Sequence, residues 1–86
     1  MLFCKKTYGI IFITMENTVV EVRKNGLEVE LFDRSNWSIN PDDSAKTAQW
    51  YPSQRIIIEK SDNERYPSVL INLDTFPHDQ VGAASI

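Results

Sequence analysis

The search for chemistry begins with the one histidine. His78 stands between Pro77 and Asp79. Catalysis there would need a nucleophile or an acid within hydrogen-bond reach, and metal binding would need further ligands. Nothing at ligand spacing supplies them, so His78 is expected as an exposed loop residue. Four aspartates, Asp42, Asp43, Asp74 and Asp79, would surround a hard cation only if their loops converged. Calcium loops of defined type place oxygen ligands at alternate positions around a glycine turn, and no such run occurs. Solvated turn and cap positions, which aspartate favours for local backbone hydrogen bonding, account for all four. Hydrolysis by a carboxylate pair would further require a cleft that so short a chain rarely encloses. Cys4, the only cysteine, has Lys5 and Lys6 beside it but neither a histidine nor a helix start to lower its pKa. No catalytic, cofactor or metal residue is assigned, and the chain is not read as an enzyme.

The aromatic side chains are better candidates. In "TAQWYPSQRIIIEK", Trp50, Tyr51 and Pro52 stand directly before three consecutive isoleucines, and Tyr66 precedes Pro67. Aromatics beside a proline-bearing loop can form a groove for proline-rich or extended peptides, or a platform for single-stranded bases. A small barrel also needs its large aromatics as core filling. Neighbouring residues of an extended segment face opposite ways, so Trp50 and Tyr51 cannot both be core if extended. Trp50 is therefore expected as a core plug, with Tyr51 and Pro52 as an exposed shoulder. Trp50, Tyr51, Pro52 and Tyr66 are the candidate partner-binding residues. Asn72, between Ile71 and Leu73, is expected to be a buried amide that ties a turn or a neighbouring strand.

The elements that must position these residues read as strands. In "TVVEVRKNGLEVELF", Asn25-Gly26 supplies the two positive φ angles of a type I′ turn, flanked by alternating apolar residues. A two-residue loop sets Lys24 opposite Leu27, Arg23 opposite Glu28, Val22 opposite Val29, Glu21 opposite Glu30 and Val20 opposite Leu31, with the core valines on one side. Arg23 then pairs with Glu28 and softens the repulsion between Glu21 and Glu30. "DRSNW" is a turn into a short strand over Trp37–Ile39. Asn40 as cap, Pro41 at the first helical position and the acidic Asp42-Asp43 predict one or two helical turns, or a loop, over Pro41–Gln49, supported by Lys46 four residues after Asp42. Arg55–Lys60 is a strand whose three isoleucines predict cover on both faces. Val69–Leu73 and Val81–Ile86 follow as strands. Short strands at close spacing predict an all-β barrel or sandwich.

Composition agrees with a single small domain. The chain has 86 residues, 42% hydrophobic and 24% charged, with a net charge of −3. Acidic and basic residues are interspersed, with no Lys/Arg cluster of the kind that tracks phosphates, so duplex binding is disfavoured. One cysteine forbids an intramolecular disulfide and fits a reducing compartment, for which the cytoplasm is expected. The sequon Asn36-Trp37-Ser38 is read as a chance match. The longest apolar run, Tyr8–Ile13, is far below the roughly 20 residues of a membrane span. It follows Lys5-Lys6 but leads to Met15-Glu16-Asn17 and not to a small-residue cleavage site. Residues 1–14 are read as an N-terminal arm or extra edge strand, and 15–86 as one β-barrel domain.

From Leu31 onward the residues Asp33, Ser35 and Trp37, then Asp42 or Asp43, Thr47, Trp50 and Pro52, follow a recognisable order. Ile56–Ile58, Leu70-Ile71-Asn72 with Asp74, and Val81 and Ala83 continue it. This pattern resembles a loosely defined set of uncharacterised small bacterial β-barrel proteins. It departs from them at Arg34 and at Phe76-Pro77-His78, where such proteins usually carry glycine. The resemblance implies an SH3-like barrel and transfers no functional residue; periodicity alone fits an OB-like barrel equally well. The combined expectation is an all-β fold, a small curled antiparallel sheet or SH3-like barrel of five or six short strands with at most one short helical turn. Its expected function is that of a binding module for a protein or peptide, through the aromatic corner or through an edge strand that could also make a homodimer. The alternative is single-stranded nucleic-acid binding by stacking with Arg34, Lys46 and Arg55.

Overall fold

The computed structural model describes residues 17–86. Strands β1 (Asn17–Arg23), β2 (Glu28–Leu31), β3 (Asn36–Ile39), β4 (Arg55–Lys60), β5 (Ser68–Asn72) and β6 (Asp79–Ser85) close into an antiparallel barrel in the order β1-β2-β3-β6-β5-β4. A 3₁₀ turn at Pro41–Asp43 and the single-turn helix α1, Ser44–Thr47, fill the connection from β3 to β4. The arm Tyr8–Ile13 and Cys4 lie outside the described residues.

The β1–β2 turn keeps the left-handed dipeptide expected, but the expected Lys24–Leu27 pair does not form: Lys24 is left-handed, Leu27 is helical, and the connection Lys24–Leu27 is four residues long. Asn25 (φ 58°, ψ 37°) and Gly26 (φ 93°) are left-handed, and the Leu27 N–H donates to the Lys24 carbonyl at 3.1 Å. Lys24 is drawn into positive φ as well. A Cβ on Gly26 would lie 2.3 Å from the Ser44 carbonyl oxygen and 2.7 Å from the Ala48 nitrogen, so only glycine lets α1 seat against this turn. The pairs Arg23–Glu28, Val22–Val29 and Glu21–Glu30 hold. Arg23 reaches Glu28 at 3.3 Å, Glu21 at 3.0 Å and Glu30 at 3.2 Å, which offsets the like-charge pair.

The expected pairing of Val20 with Leu31 does not occur. Val19 faces Leu31, and the register shifts between Val19 and Glu21. One extra residue makes a β-bulge, which adds twist where β1 must leave β2 and reach β4 to close the barrel. Val19 consequently points into the core and Val20 is 40% exposed, so the valines do not share one side.

The isoleucine run also differs from expectation. Ile56 is fully buried, Ile57 half-buried and Ile58 40% exposed. Among the described residues, β1 pairs with β4 at Asn17–Ile56 and Thr18–Arg55. The core is Val19, Val29, Leu31, Trp37, Ile39, Trp50, Ile56, Leu70, Val81 and Ala83. The last strand is longer than expected, and it is central, pairing with both β3 and β5. Its Gly82 donates to Asp43 Oδ2 at 2.9 Å and its carbonyl accepts from the Asn40 N–H at 2.8 Å.

A candidate peptide groove beside the aromatic corner

The segment after α1 is held by a chain of local bonds. The Asn40 side chain accepts from the Asp42 N–H at 3.0 Å, capping the 3₁₀ turn that Pro41 begins. Lys46 pairs with Asp43 at 3.6 Å, not with Asp42. Thr47, fully buried, donates its hydroxyl to the Asp43 carbonyl, and its own carbonyl accepts the Trp50 N–H at 2.9 Å. Trp50 is thereby turned inward, 4% exposed, and its indole N–H donates to Asp79 Oδ2 at 3.0 Å. Tyr51 faces the other way at 61% exposure, and Pro52 is exposed beside it.

Ser53, at φ 75°, swings the chain back toward β1, and its N–H donates to the Val19 carbonyl. Gln54 is buried and accepts at Oε1 from both the Tyr51 N–H (3.0 Å) and Asn72 Nδ2 (2.9 Å). Asn72 Oδ1 in turn accepts the Asp74 N–H at 2.8 Å. The corner is thus pinned to β1, β5 and β6 by buried amides and one carboxylate.

Between this corner and β1 runs a groove of about 450 Å³. Its apolar wall is Val20, Val22, Ala48, Trp50 and Pro52; Glu21 and Asn25 supply polar atoms, and the backbone of Gly26 completes the lining. The volume lies within the roughly 300–1,000 Å³ typical of ligand sites. Val20 reaches the groove only because the bulge turns it outward. Sequence alternation assigned Val20 to the core, so the groove could not be read from sequence; Glu21 was visible only as half of a repulsive pair.

The four candidate residues do not converge. Trp50 and Pro52 line the groove, Tyr51 stands on its outer shoulder, and Tyr66 is half-buried beside Gly82 and Asn40. Two exposed phenylalanines, Phe32 (76%) and Phe76 (97%), carry apolar surface elsewhere. His78 is exposed in the β5–β6 loop.

The aspartates are dispersed into separate structural duties, and among the described residues no three metal-ligating side chains cluster. Asp43 and Asp79 bind Gly82 and Trp50, as above. Asp74 accepts from Arg55 side-chain nitrogens at 2.8–3.3 Å and from the Arg55 N–H at 2.7 Å. Those bonds, led by the guanidinium, hold its carboxyl below the usual aspartate range. Asp33 is depressed likewise by the hydroxyl and N–H of Ser35, whose oxygen accepts the Trp37 indole N–H at 2.9 Å. Glu28 is lowered by Lys24 first and by Arg23 second.

Fold and groove together define a class, a small closed six-stranded antiparallel barrel with a lateral groove at its helical connection. Compared with known proteins, the chain matches no family model, no curated protein and no solved structure.

Proposed function

We propose that the protein is a non-enzymatic interaction module that holds a short extended segment of a protein partner in the groove between β1 and the Ala48–Pro52 corner. The observation that carries this reading is the outward Val20. A bulge places an aliphatic side chain in the open wall opposite Trp50 and Pro52, giving an apolar trough on a scaffold held rigid by buried hydrogen bonds. An edge-strand route is less well supported: among the described residues the stretch of β4 paired on one side alone is Ile57–Lys60, and it carries Glu59 and Lys60, which discourage strand addition. Single-stranded nucleic acid is also less well supported. Of its three cations, Arg55 is committed to Asp74 and Lys46 to Asp43 and the Gln80 carbonyl.

The test is a peptide-display selection on the immobilised full chain, repeated with Val20→Asp. Val20 is exposed, so the variant should keep its thermal melt and lose the enriched peptides. Failure to enrich any peptide, or enrichment that ignores Val20→Asp, would overturn the reading.

A further inference from the structure

Resting on that groove as the binding site, we infer that its occupant carries a lysine or arginine next to an aliphatic or aromatic residue, and that Glu21 selects it. Glu21 is the one charged residue among those lining the groove. Its side chain is 57% exposed and Oε1 accepts from Arg23 Nη1 at 3.0 Å. Among the described residues no hydrogen bond reaches its Oε2.

Arg23 does not cancel this charge. Its guanidinium also binds Glu28 and Glu30 on β2 and the Asn36 side-chain oxygen on β3 at 2.6 Å, so one cation is divided among three carboxylates, and Arg23 is not among the residues lining the groove. Lys24 is held by Glu28 at 3.1 Å. Three carboxylates therefore share two cations, which leaves the cluster one net negative charge, and Glu21 is the member of it that lines the groove. The facing wall, Ala48 to Pro52, carries no charge.

A cationic side chain satisfies Glu21 Oε2 while its aliphatic stem lies along Val20 and Val22. An acidic residue there meets repulsion. An exposed pair of this kind changes affinity by a small factor, about two- to fivefold. Selectivity by sign, more than tightness, is what Glu21 contributes.

The probe is a set of three fluorescein-labelled decapeptides built on the strongest binder from the display selection, differing at one position in Lys, Gln or Glu. Anisotropy titrations use the full chain and its Glu21→Gln, Glu21→Lys and Val20→Asp variants, each checked for an unchanged circular-dichroism spectrum. The expected order for the native chain is Lys tightest and Glu weakest. The order should collapse in Glu21→Gln and reverse in Glu21→Lys. An order that persists in both variants overturns the charge assignment; if Val20→Asp still abolishes binding, the groove itself stands. Binding untouched by Val20→Asp, or no binder at all, overturns both.

Discussion

Replacing Gly26 by alanine tests whether the β1–β2 turn and α1 are one packed unit. The new Cβ would sit 2.3 Å from the Ser44 oxygen, 2.7 Å from the Ala48 nitrogen and 3.1 Å from the Ala48 Cα. Two of these approaches are closer than heavy atoms tolerate, and all three neighbours are backbone, which cannot rotate away. Relief requires α1 to move outward, an overpacking cost of about 1–3 kcal/mol. The φ of 93° adds about 1–2 kcal/mol for an L side chain. Their sum, about 2–5 kcal/mol, is a large share of the roughly 4–13 kcal/mol that an 86-residue chain commands. With a urea slope near 1 kcal/mol/M, the unfolding midpoint should fall by about 2 M or more, or the chain should fail to fold. Asn25→Gly is the control, since that residue is left-handed, glycine adopts the same conformation without strain, and stability should change by only a few tenths of a kcal/mol. A Gly26→Ala loss below about 1 kcal/mol would refute the packing argument, because even the backbone contribution alone exceeds that.

Other perturbations follow from the same geometry. Trp37→Phe leaves Trp50 as the single reporter, and its fluorescence should be blue-shifted and protected from acrylamide; red-shifted, quenchable emission from folded protein would contradict the 4% exposure. Arg34 occupies φ 76°, so Arg34→Gly should raise the denaturation midpoint by up to about 1 kcal/mol of stability, and a clear loss would mean its side chain has a duty beyond the turn. Asp33, Asp74 and Glu28 all have folded pKa values depressed by their partners, so their stabilisation is present above the unfolded values near pH 4 and lost as pH falls through the lower folded ones. Thermal melts should therefore hold from neutrality to about pH 5 and decline below about pH 4, less steeply in Asp74→Asn; an acid profile identical in that variant would count against the Arg55 attribution.

The parts of the fold legible in sequence are those that local chemistry dictates. Asn25-Gly26 fixed its turn and most of the hairpin register because few residues accept paired positive φ. Asn40-Pro41-Asp42-Asp43 specified a short helical start through capping. The opposite orientations of Trp50 and Tyr51 match the alternation expected of neighbouring residues in an extended segment. Asn72 was readable as a tie because a buried amide must be satisfied. Other features had no local signature. The last strand was read from Val81 onward, but its start at Asp79-Gln80 and its place between β3 and β5 were not, since Gly82-Ala83-Ala84 are residues of low strand propensity positioned by those neighbours. The bonds Asp43–Gly82 and Trp50–Asp79 span 39 and 29 positions, beyond any pattern of spacing. The bulge at Val20 was hidden for a related reason. Barrel closure demands it, and the alternation of valine with glutamate around it looks the same with or without it. Because the groove depends on that bulge, the candidate site was only half visible, through Trp50 and Pro52.

The bulge has one more consequence. Glu21 resumes the ladder with Glu30, and Val19 keeps its place against Leu31, so position 20 belongs to no cross-strand pair. A substitution there disturbs neither the register on either side nor the volume of the interior. The barrel thus holds a supernumerary residue, free to vary in size and polarity at the mouth of its groove while the residues that fold the protein stay constant. In the interaction module proposed above, such an uncoupled position would let one scaffold change its binding preference by point mutation at little cost in stability.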